Sequence, residues 1–164
     1  MTTHIETRHE FDLTPAEFDD RIRWSDAYRE ALYASLGFRY EVVESDRATG
    51  ARQTRVWPAA DVPAPLRKMF GDDFHFTEQG RYDEARRRYE FTVTPSVASD
   101  RVQTTGVERL EALDGGRCLR VMEVNVEASL FGLGKVLEAF VARSTKQSYD
   151  DDAAFIRAYV RDEG

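Results

Sequence analysis

The fold is decided by one continuous stretch, Cys118-Leu-Arg-Val-Met-Glu-Val-Asn-Val-Glu-Ala-Ser-Leu130, which runs through Phe131-Gly-Leu-Gly134 into a long helical segment. The first part is an extended, apolar-rich run that is typical of a strand. From Leu133 to Val160, apolar side chains recur at steps of three and four residues, which places them on one face of a helix. The stretch therefore predicts a last strand that leads into a last helix, whose apolar face must be buried.

The middle of that helical face is polar. Between Val141 and Phe155 it carries small or hydroxylated side chains where Leu or Ile would pack best, namely Ser144, Thr145, Ser148 and Tyr149. One interpretation is a helix that lies over a curved sheet with a ligand cavity between them. The alternative is a solvated or kinked centre, or two helices that meet at residues 148–152, because uninterrupted helical patterns beyond about 25 residues are unusual.

Upstream of this stretch, the chain begins with an alternating run at residues 4–13, which predicts a half-buried strand. Thr14-Pro-Ala-Glu17 combines a hydroxyl N-cap, a proline at the first helical position and a glutamate three residues after the cap. A second short helix is predicted from Ser25 or Asp26 to a stop at Gly37.

Six extended runs and one short helical segment follow before the last helix. The extended runs are residues 38–44, 52–57, 74–82, 86–94, 101–113 and 117–128, and the helical segment is 66–70. This order predicts an α+β fold with a curved antiparallel sheet of about six to seven strands and with the helices on one side. We expect a single domain over residues 1–164.

Composition excludes several classes of protein. With 164 residues, of which 41% are hydrophobic and 32% charged, the chain is expected to be one soluble globular domain. No run of 18 apolar residues exists, and the first residues lack the order of a signal peptide, so a cytoplasmic protein is predicted. A net charge of −7 argues against nucleic-acid binding, which needs a concentrated basic surface.

Motifs for metal, cofactor or nucleophile chemistry are missing from the sequence. Cys118 lies in an apolar strand and is expected to be a buried, inert thiol. His4, His9 and His75 are too scattered for a metal site, and we expect no metal and no cofactor. His9 is predicted to be a buried, hydrogen-bonded histidine, with a catalytic base as the alternative.

Some charged residues on strands leave two interpretations open. Glu123 and Asn125 are expected to face solvent, since Met122, Val124, Val126 and Ala128 form the fuller apolar set; the alternative makes them interior polar groups. Arginines at positions 52, 55 and 86–88 alternate between faces, and most are expected to be solvated. One inward-pointing arginine would be able to hold a ligand carboxylate or phosphate in a bidentate pair.

The order of elements over the entire chain resembles the helix-grip fold of the START-like (SRPBCC, birch-pollen-allergen type) superfamily. Within it, the sequence is similar to a bacterial domain family of unknown function and, more distantly, to the PRELI-like lipid-transfer proteins of mitochondria. The segments that carry this resemblance are Pro63-Ala-Pro-Leu-Arg-Lys-Met-Phe-Gly71, Phe76-Thr-Glu78 to Asp83, and Leu137-Glu-Ala-Phe-Val-Ala142. The acidic run Asp150–Asp152 departs from the basic helix of PRELI-like proteins and puts binding of an anionic lipid head in doubt.

The resemblance implies a deep apolar cavity between the sheet and the C-terminal helix, which holds a lipid or another apolar small molecule. We expect its wall to consist of Tyr89, Phe91, Val93, Met122, Val124, Leu137, Phe140, Val141 and Ser144. Leu66, Arg67, Met69 and Phe70 are interpreted as a lid over the cavity entrance or a contact point on a membrane, with a short packing helix as the alternative. No catalytic set is evident.

Two other functions stay open. One is a cavity enzyme of the polyketide cyclase or hydratase type, in which His9, Tyr89 or Glu123 acts as acid or base. The other is an interaction domain whose groove is filled by its own side chains.

Overall fold

The structure, a computed structural model, describes residues 2–58, 62–130 and 132–163. Both predicted helix starts are confirmed: Thr14 and Glu17 form the reciprocal bonds of a capping box, and the Ser25 hydroxyl accepts the backbone N–H of Tyr28. The helices are α1 (Pro15–Phe18), which continues as the π-helical turn Asp19–Arg23, then α2 (Asp26–Leu36), α3 (Ala64–Phe70) and α4 (Gly134–Glu163).

Seven strands form one antiparallel sheet in the order β1-β7-β6-β5-β4-β3-β2. The predicted α+β helix-grip architecture is therefore confirmed. The strands are β1 (Thr2–Phe11), β2 (Arg39–Asp46), β3 (Ala51–Trp57), β4 (Phe76–Asp83), β5 (Arg88–Pro95), β6 (Val102–Leu113) and β7 (Arg117–Ala128). The sequence placed the start of β5 two residues too early, because Arg87 has a φ of 52° and belongs to the turn before it.

The register of the sheet decides which side chains face α4. Thr7 pairs with Met122 and Ile5 with Val124, and all four side chains are buried on one face. This inner face carries the apolar side chains of β7 that the sequence assigned to the core, which confirms that assignment. Adjacent side chains on a strand point to opposite faces, so Glu123 belongs to the outer face.

The long helix α4 is continuous, and the alternative of two helices that meet at residues 148–152 is wrong. The sheet supplies polar partners where the helix face is polar: Arg120 on β7 donates to Asp152, and a ring nitrogen of His9 on β1 lies 2.9 Å from an oxygen of Asp150. Ser148 is exposed and does not face the sheet. No helix in the described part of the chain is long and apolar enough to cross a membrane.

Three groups of buried apolar side chains lie along α4. One, around Phe11, Phe18 and Ile156, packs the C-terminal half of α4 on α1 and α2. A second, around Tyr89, Phe91 and Met122, covers the middle of the inner face, and a third joins α3 to the N-terminal half of α4. The buried thiol of Cys118 belongs to the first group, and burial raises its pKa to about 11, so it is a poor nucleophile at neutral pH.

Candidate ligand-binding site

The long helix α4 lies close to one side of the sheet and further from the other. The backbone of α4 makes its close approaches to the sheet at β1 and β7, at one side of the sheet. The inner face of β3, β4 and β5 is therefore covered by side chains rather than by a neighbouring backbone. These side chains come from the sheet itself, from α2, from Trp24 and from the middle of α4.

The predicted wall residues fall into two of the buried groups. Six of them share the group in the middle of the inner face, namely Tyr89, Phe91, Val93, Met122, Val124 and Val141. Leu137 and Phe140 lie in the group that joins α3 to α4, where Val141 also contacts them. Ser144 is half-buried one turn further along α4. The structure thus brings the predicted wall residues onto facing surfaces, and their role in binding a ligand stays a prediction.

The predicted entrance residues behave as a packing helix rather than as an exposed lid. Leu66 is fully buried, and Phe70 packs on Phe140 and stacks on Phe74. Both side chains are occupied by the core, and Met69 packs half-buried against the same group, which favours the packing helix; the entrance and the membrane contact stay predictions. Arg67 is exposed and donates to the carbonyl of Val62.

Two glycines make room for the aromatic side chains on the inner face. Phe91 pairs with Gly106 on one neighbouring strand and with Gly80 on the other. A Cβ atom on Gly106 would lie 2.2 Å from the Phe91 ring, which shows that the ring rests directly on the glycine backbone. Phe91 also stacks on Tyr89 with ring centroids 5.2 Å apart. The inner wall is therefore a flat aromatic surface.

A carboxyl group and a guanidinium lie on this aromatic surface. The Tyr89 hydroxyl donates to Glu78 at 3.0 Å. Arg52 lies between two rings, with its Cζ 5.5 Å from the centroid of Trp24 and 5.4 Å from that of Tyr89. Both Arg52 and Glu78 face inward, because each pairs with a residue of the inner face.

Glu78 and two neighbouring tyrosines have pKa values that are raised by burial, although their side chains are partly accessible to solvent. Burial raises the pKa of the Glu78 carboxyl above its ordinary range, although the positive charge of Arg52 opposes the shift. Burial likewise raises the pKa of Tyr33 on α2 and of Tyr149 on α4, and in both cases the charge of Glu78 adds to the shift. Yet Glu78, Tyr33 and Tyr149 each retain some solvent-accessible surface. Polar groups that line an internal space are expected to be shielded from bulk water, which shifts their pKa values, and yet to keep some accessible surface.

Next to Glu78 and Arg52 lies a network of hydrogen-bonded side chains around Arg23. Its guanidinium donates to Asp19 at 3.0 Å and to Glu108, and its Cζ lies 3.9 Å above the Tyr82 ring. The Tyr82 hydroxyl donates to the other oxygen of Asp19 at 2.8 Å. Burial alone would raise the pKa of Glu108, but the charges of Arg23 and Arg120 hold it below its ordinary value. All members are engaged, so this network is structural.

A second network fastens α4 to the sheet. Arg120 donates to one oxygen of Asp152 at 2.6 Å, and the Tyr28 hydroxyl donates to the other. Arg120 also donates to the backbone carbonyl of Tyr149. The acidic run that departs from PRELI-like sequences therefore contributes Asp152 to a network that holds the helix on the sheet.

Several candidate residues lie away from the inner surface. Glu123 is on the outer face, 3.6 Å from a guanidinium nitrogen of Arg109, and Asn125 is exposed beside His4. An acid–base role for Glu123 in the cavity is therefore wrong. His9 is hydrogen-bonded to Asp150 and half-buried, as predicted for a structural histidine. Among the described residues, no cluster of His, Cys, Asp or Glu has the arrangement of a metal site.

A separate pocket of about 680 Å³ lies at the rim of the sheet. It is lined by the ends of β5, β6 and β7 and by the loop at residues 99–101, and polar side chains predominate. Val93 is the one predicted wall residue among its lining residues. The rim pocket therefore differs from the inner surface that carries Glu78 and Arg52.

Replacing Glu78 with Gln is expected to stabilise the fold at neutral pH. Because burial raises the carboxyl pKa in the folded chain, ionising Glu78 costs more in the folded state than in the unfolded state. This penalty is absent below the unfolded pKa and grows as the pH rises towards the folded pKa. Thermal unfolding should show a difference between variant and wild type near zero at about pH 4 and a higher melting temperature for Glu78→Gln at about pH 7.

The matched control is Glu90→Gln, an exposed carboxyl paired with Arg88 on the outer face. It should give a small difference at both pH values, because surface ion pairs contribute little. A melting temperature of Glu78→Gln at or below that of wild type at neutral pH would contradict the desolvation of Glu78.

Comparisons with solved structures show the same fold in proteins of low sequence identity. Ara h 8.0201 is 17% identical, covers 99% of each chain and gives a TM-score of 0.68. The Zhui aromatase/cyclase from Streptomyces sp. R1128 is 17% identical over 100% of this chain and 99% of that one, with a TM-score of 0.67. Norcoclaurine synthase from Thalictrum flavum, in complex with dopamine and hydroxybenzaldehyde, is 10% identical over 95% and 86%, with a TM-score of 0.65.

These likenesses establish the START-like helix-grip fold that the order of elements indicated. The PRELI-like resemblance stays a prediction. No protein with a curated description matches the chain in sequence. A family described as "Protein of unknown function (DUF2505)" matches residues 6–160. Since the match spans nearly the whole chain, the protein belongs to the DUF2505 family.

Proposed function

We propose that the protein binds a small molecule with an apolar body in the space between the inner face of the sheet and α4. The observation that carries this proposal is that the polar side chains of Glu78, Tyr33 and Tyr149 are half-buried, although they lie next to the buried aromatic wall rather than on an open surface. A solid core would bury such groups completely, and an open surface would hydrate them. A lipid or another apolar molecule with one polar end fits the aromatic wall and its polar centre.

The proposal is tested by native mass spectrometry of the protein after gentle extraction, followed by uptake of fatty-acid and flat aromatic probes. We expect a co-purified small molecule, or one probe bound per chain. A protein that neither carries nor takes up any such molecule would favour the interaction-domain alternative, with the space filled by the side chains of the protein.

Replacing Ser144 with Leu is expected to lower probe uptake while leaving the fold intact. The added side chain would occupy space above the inner face, and each methylene buried there favours the fold by about 0.8 kcal/mol. Ser148→Leu is the matched control, because Ser148 lies one turn along the same helix but is exposed. Paired measurements of melting temperature and probe binding check the prediction. A loss of about 1–3 kcal/mol in Ser144→Leu alone would instead indicate a filled interface at Ser144.

A second candidate function is acid–base catalysis on the bound molecule, as in a cyclase or hydratase. The observation that favours it is the hydrogen bond between the Tyr89 hydroxyl and Glu78, whose pKa is raised by burial. A carboxyl with a raised pKa exchanges protons closer to neutral pH, as general acids and bases require. Tyr89 would then orient the carboxyl or donate to a ligand oxygen.

The two candidate functions differ in what happens to the bound molecule. If Glu78 moves protons on and off carbon, a ligand incubated with the protein in deuterated buffer gains mass, and Glu78→Gln abolishes the gain while binding persists. A carrier leaves the mass of the ligand unchanged. Glu90→Gln serves again as the control for a carboxyl on the outer face.

A further inference from the structure

We propose that the molecule bound on the inner face is an acid whose carboxylate pairs with the guanidinium of Arg52. This inference rests on the proposed function and names its ligand class: an aromatic or aliphatic apolar acid. It follows from the position of Arg52, from the absence of a carboxylate partner for its guanidinium among the described residues, and from the ion pairs that Arg23 and Arg120 already make.

The position of Arg52 suits a ligand contact. It lies on the inner face of β3 and pairs across the sheet with Gly80, which has no side chain to cover it. The rings of Trp24 and Tyr89 hold the guanidinium at 5.5 and 5.4 Å. Aromatic rings fix the orientation of a guanidinium but do not neutralise its charge. Arg52 is therefore held in place at the edge of the aromatic wall with its N–H donors free for another group.

The remaining inner arginines have carboxylate partners. Arg23 is paired with Asp19 and Glu108, and Arg120 is paired with Asp152. Within the described part of the chain, by contrast, the Arg52 guanidinium makes neither a hydrogen bond nor an ion pair, and its contacts are with the rings of Trp24 and Tyr89. An inward guanidinium without a carboxylate partner is able to bind the carboxylate of a ligand through two parallel hydrogen bonds.

Glu78 is a negative charge on the inner face that attracts Arg52 without pairing with it. It contributes an attraction to Arg52 but makes no contact within ion-pairing distance of it, and its own oxygen accepts the Tyr89 hydroxyl. Burial raises the pKa of Glu78, so taking up a proton there costs little when an acid binds beside it. The ligand carboxylate therefore replaces a distant partner of Arg52 with a close one.

The experiment uses two matched probe pairs on the full chain: 2-naphthoate with 2-naphthamide, and dodecanoate with dodecanol. Isothermal titration gives their affinities for wild type, Arg52→Gln, Arg52→Lys and Arg55→Gln. Arg55 lies on the same strand but on the outer face, paired with Glu41, and serves as the control. Melting temperatures show that each variant is folded.

We expect wild type and Arg55→Gln to bind one acid at least about tenfold more tightly than its neutral partner. Arg52→Gln should lose that preference, and Arg52→Lys should keep part of it because lysine retains the charge without the planar fork. Equal binding of acid and neutral probes, or an acid preference that survives in Arg52→Gln, would overturn this inference and leave the proposed function standing. Binding of none of the four probes would count against both.

Discussion

Replacing Arg23 with Met is expected to lower the free energy of unfolding by about 3–5 kcal/mol at neutral pH. The side chain is almost fully buried, and its removal leaves the carboxylates of Asp19 and Glu108 without the cation that is hydrogen-bonded to both. The hydroxyl of Tyr82, which donates to Asp19, is the one hydrogen bond that remains to these two groups from this network. Chemical denaturation at neutral pH measures the loss.

The pH dependence of the difference in unfolding free energy between Arg23→Met and wild type shows whether lost charge pairing or lost packing causes the effect. In the wild type, the lowered pKa of Glu108 contributes stability that is present above the unfolded pKa and is lost as the pH falls through the folded pKa. Without Arg23 the largest attraction that lowers this pKa is gone, so the difference between variant and wild type should shrink as the pH falls below the ordinary carboxyl range. A difference that is equally large in acid would show that packing alone explains the effect. Arg21→Met serves as the comparison, because among the described residues the Arg21 side chain makes one long hydrogen bond, to the carbonyl of Val160.

Replacing Phe91 with Ala is expected to destabilise the fold by about 3–5 kcal/mol. Its ring lies flat on Gly106 and stacks on Tyr89, so the truncation removes both contacts and leaves a void on the inner face. Equilibrium denaturation measures the cost. Because the void lies next to Glu78 and Arg52 on the inner face, the variant should also take up larger probes than wild type does.

A double-mutant cycle with Gly106→Ala tests the geometry of this contact. Alone, Gly106→Ala should cost about 1–3 kcal/mol, since the new Cβ meets the buried ring. Combined with Phe91→Ala it should cost far less, because the ring is gone. Additive effects of the two substitutions would contradict the ring-on-glycine packing. Val107→Ala on the outer side of the same strand is the control.

The sequence was sufficient for the fold because its periodicities are local. The capping box at Thr14, the stop at Gly37 and the alternating run of β7 each report the conformation of a few neighbouring residues. The alternative of a break at residues 148–152 was wrong for a tertiary reason. Polar residues in the middle of α4 are satisfied by Arg120 and His9, which are distant in sequence.

The site was only half predictable from the sequence, for the same reason. Apolar wall residues such as Tyr89 and Phe91 follow from strand alternation, and an inward arginine was expected among several on the strands. Glu78 was missed as part of the site because its role depends on its proximity to Tyr89 and Arg52. These residues lie on neighbouring strands, and only the strand register brings them close to Glu78. The one signal available was alternation along β4, which places Glu78 on the same face as Tyr82.

The position of β1 has a consequence for how the chain folds. This strand begins the chain but pairs only with β7, so that Thr2 and Glu127 contact each other 125 positions apart. Strands β2 to β7, by contrast, pair with the strands next to them in the sequence, and even the longest connection, which carries α3 between β3 and β4, is far shorter than the one between β1 and β7. We expect the meander of these six strands to form first and β1 to join late, because closing a long loop has a larger entropic cost. During synthesis, the first strand has to wait without a partner until β7 has left the ribosome, and the inner surface that would hold a ligand is incomplete until α4 docks on both.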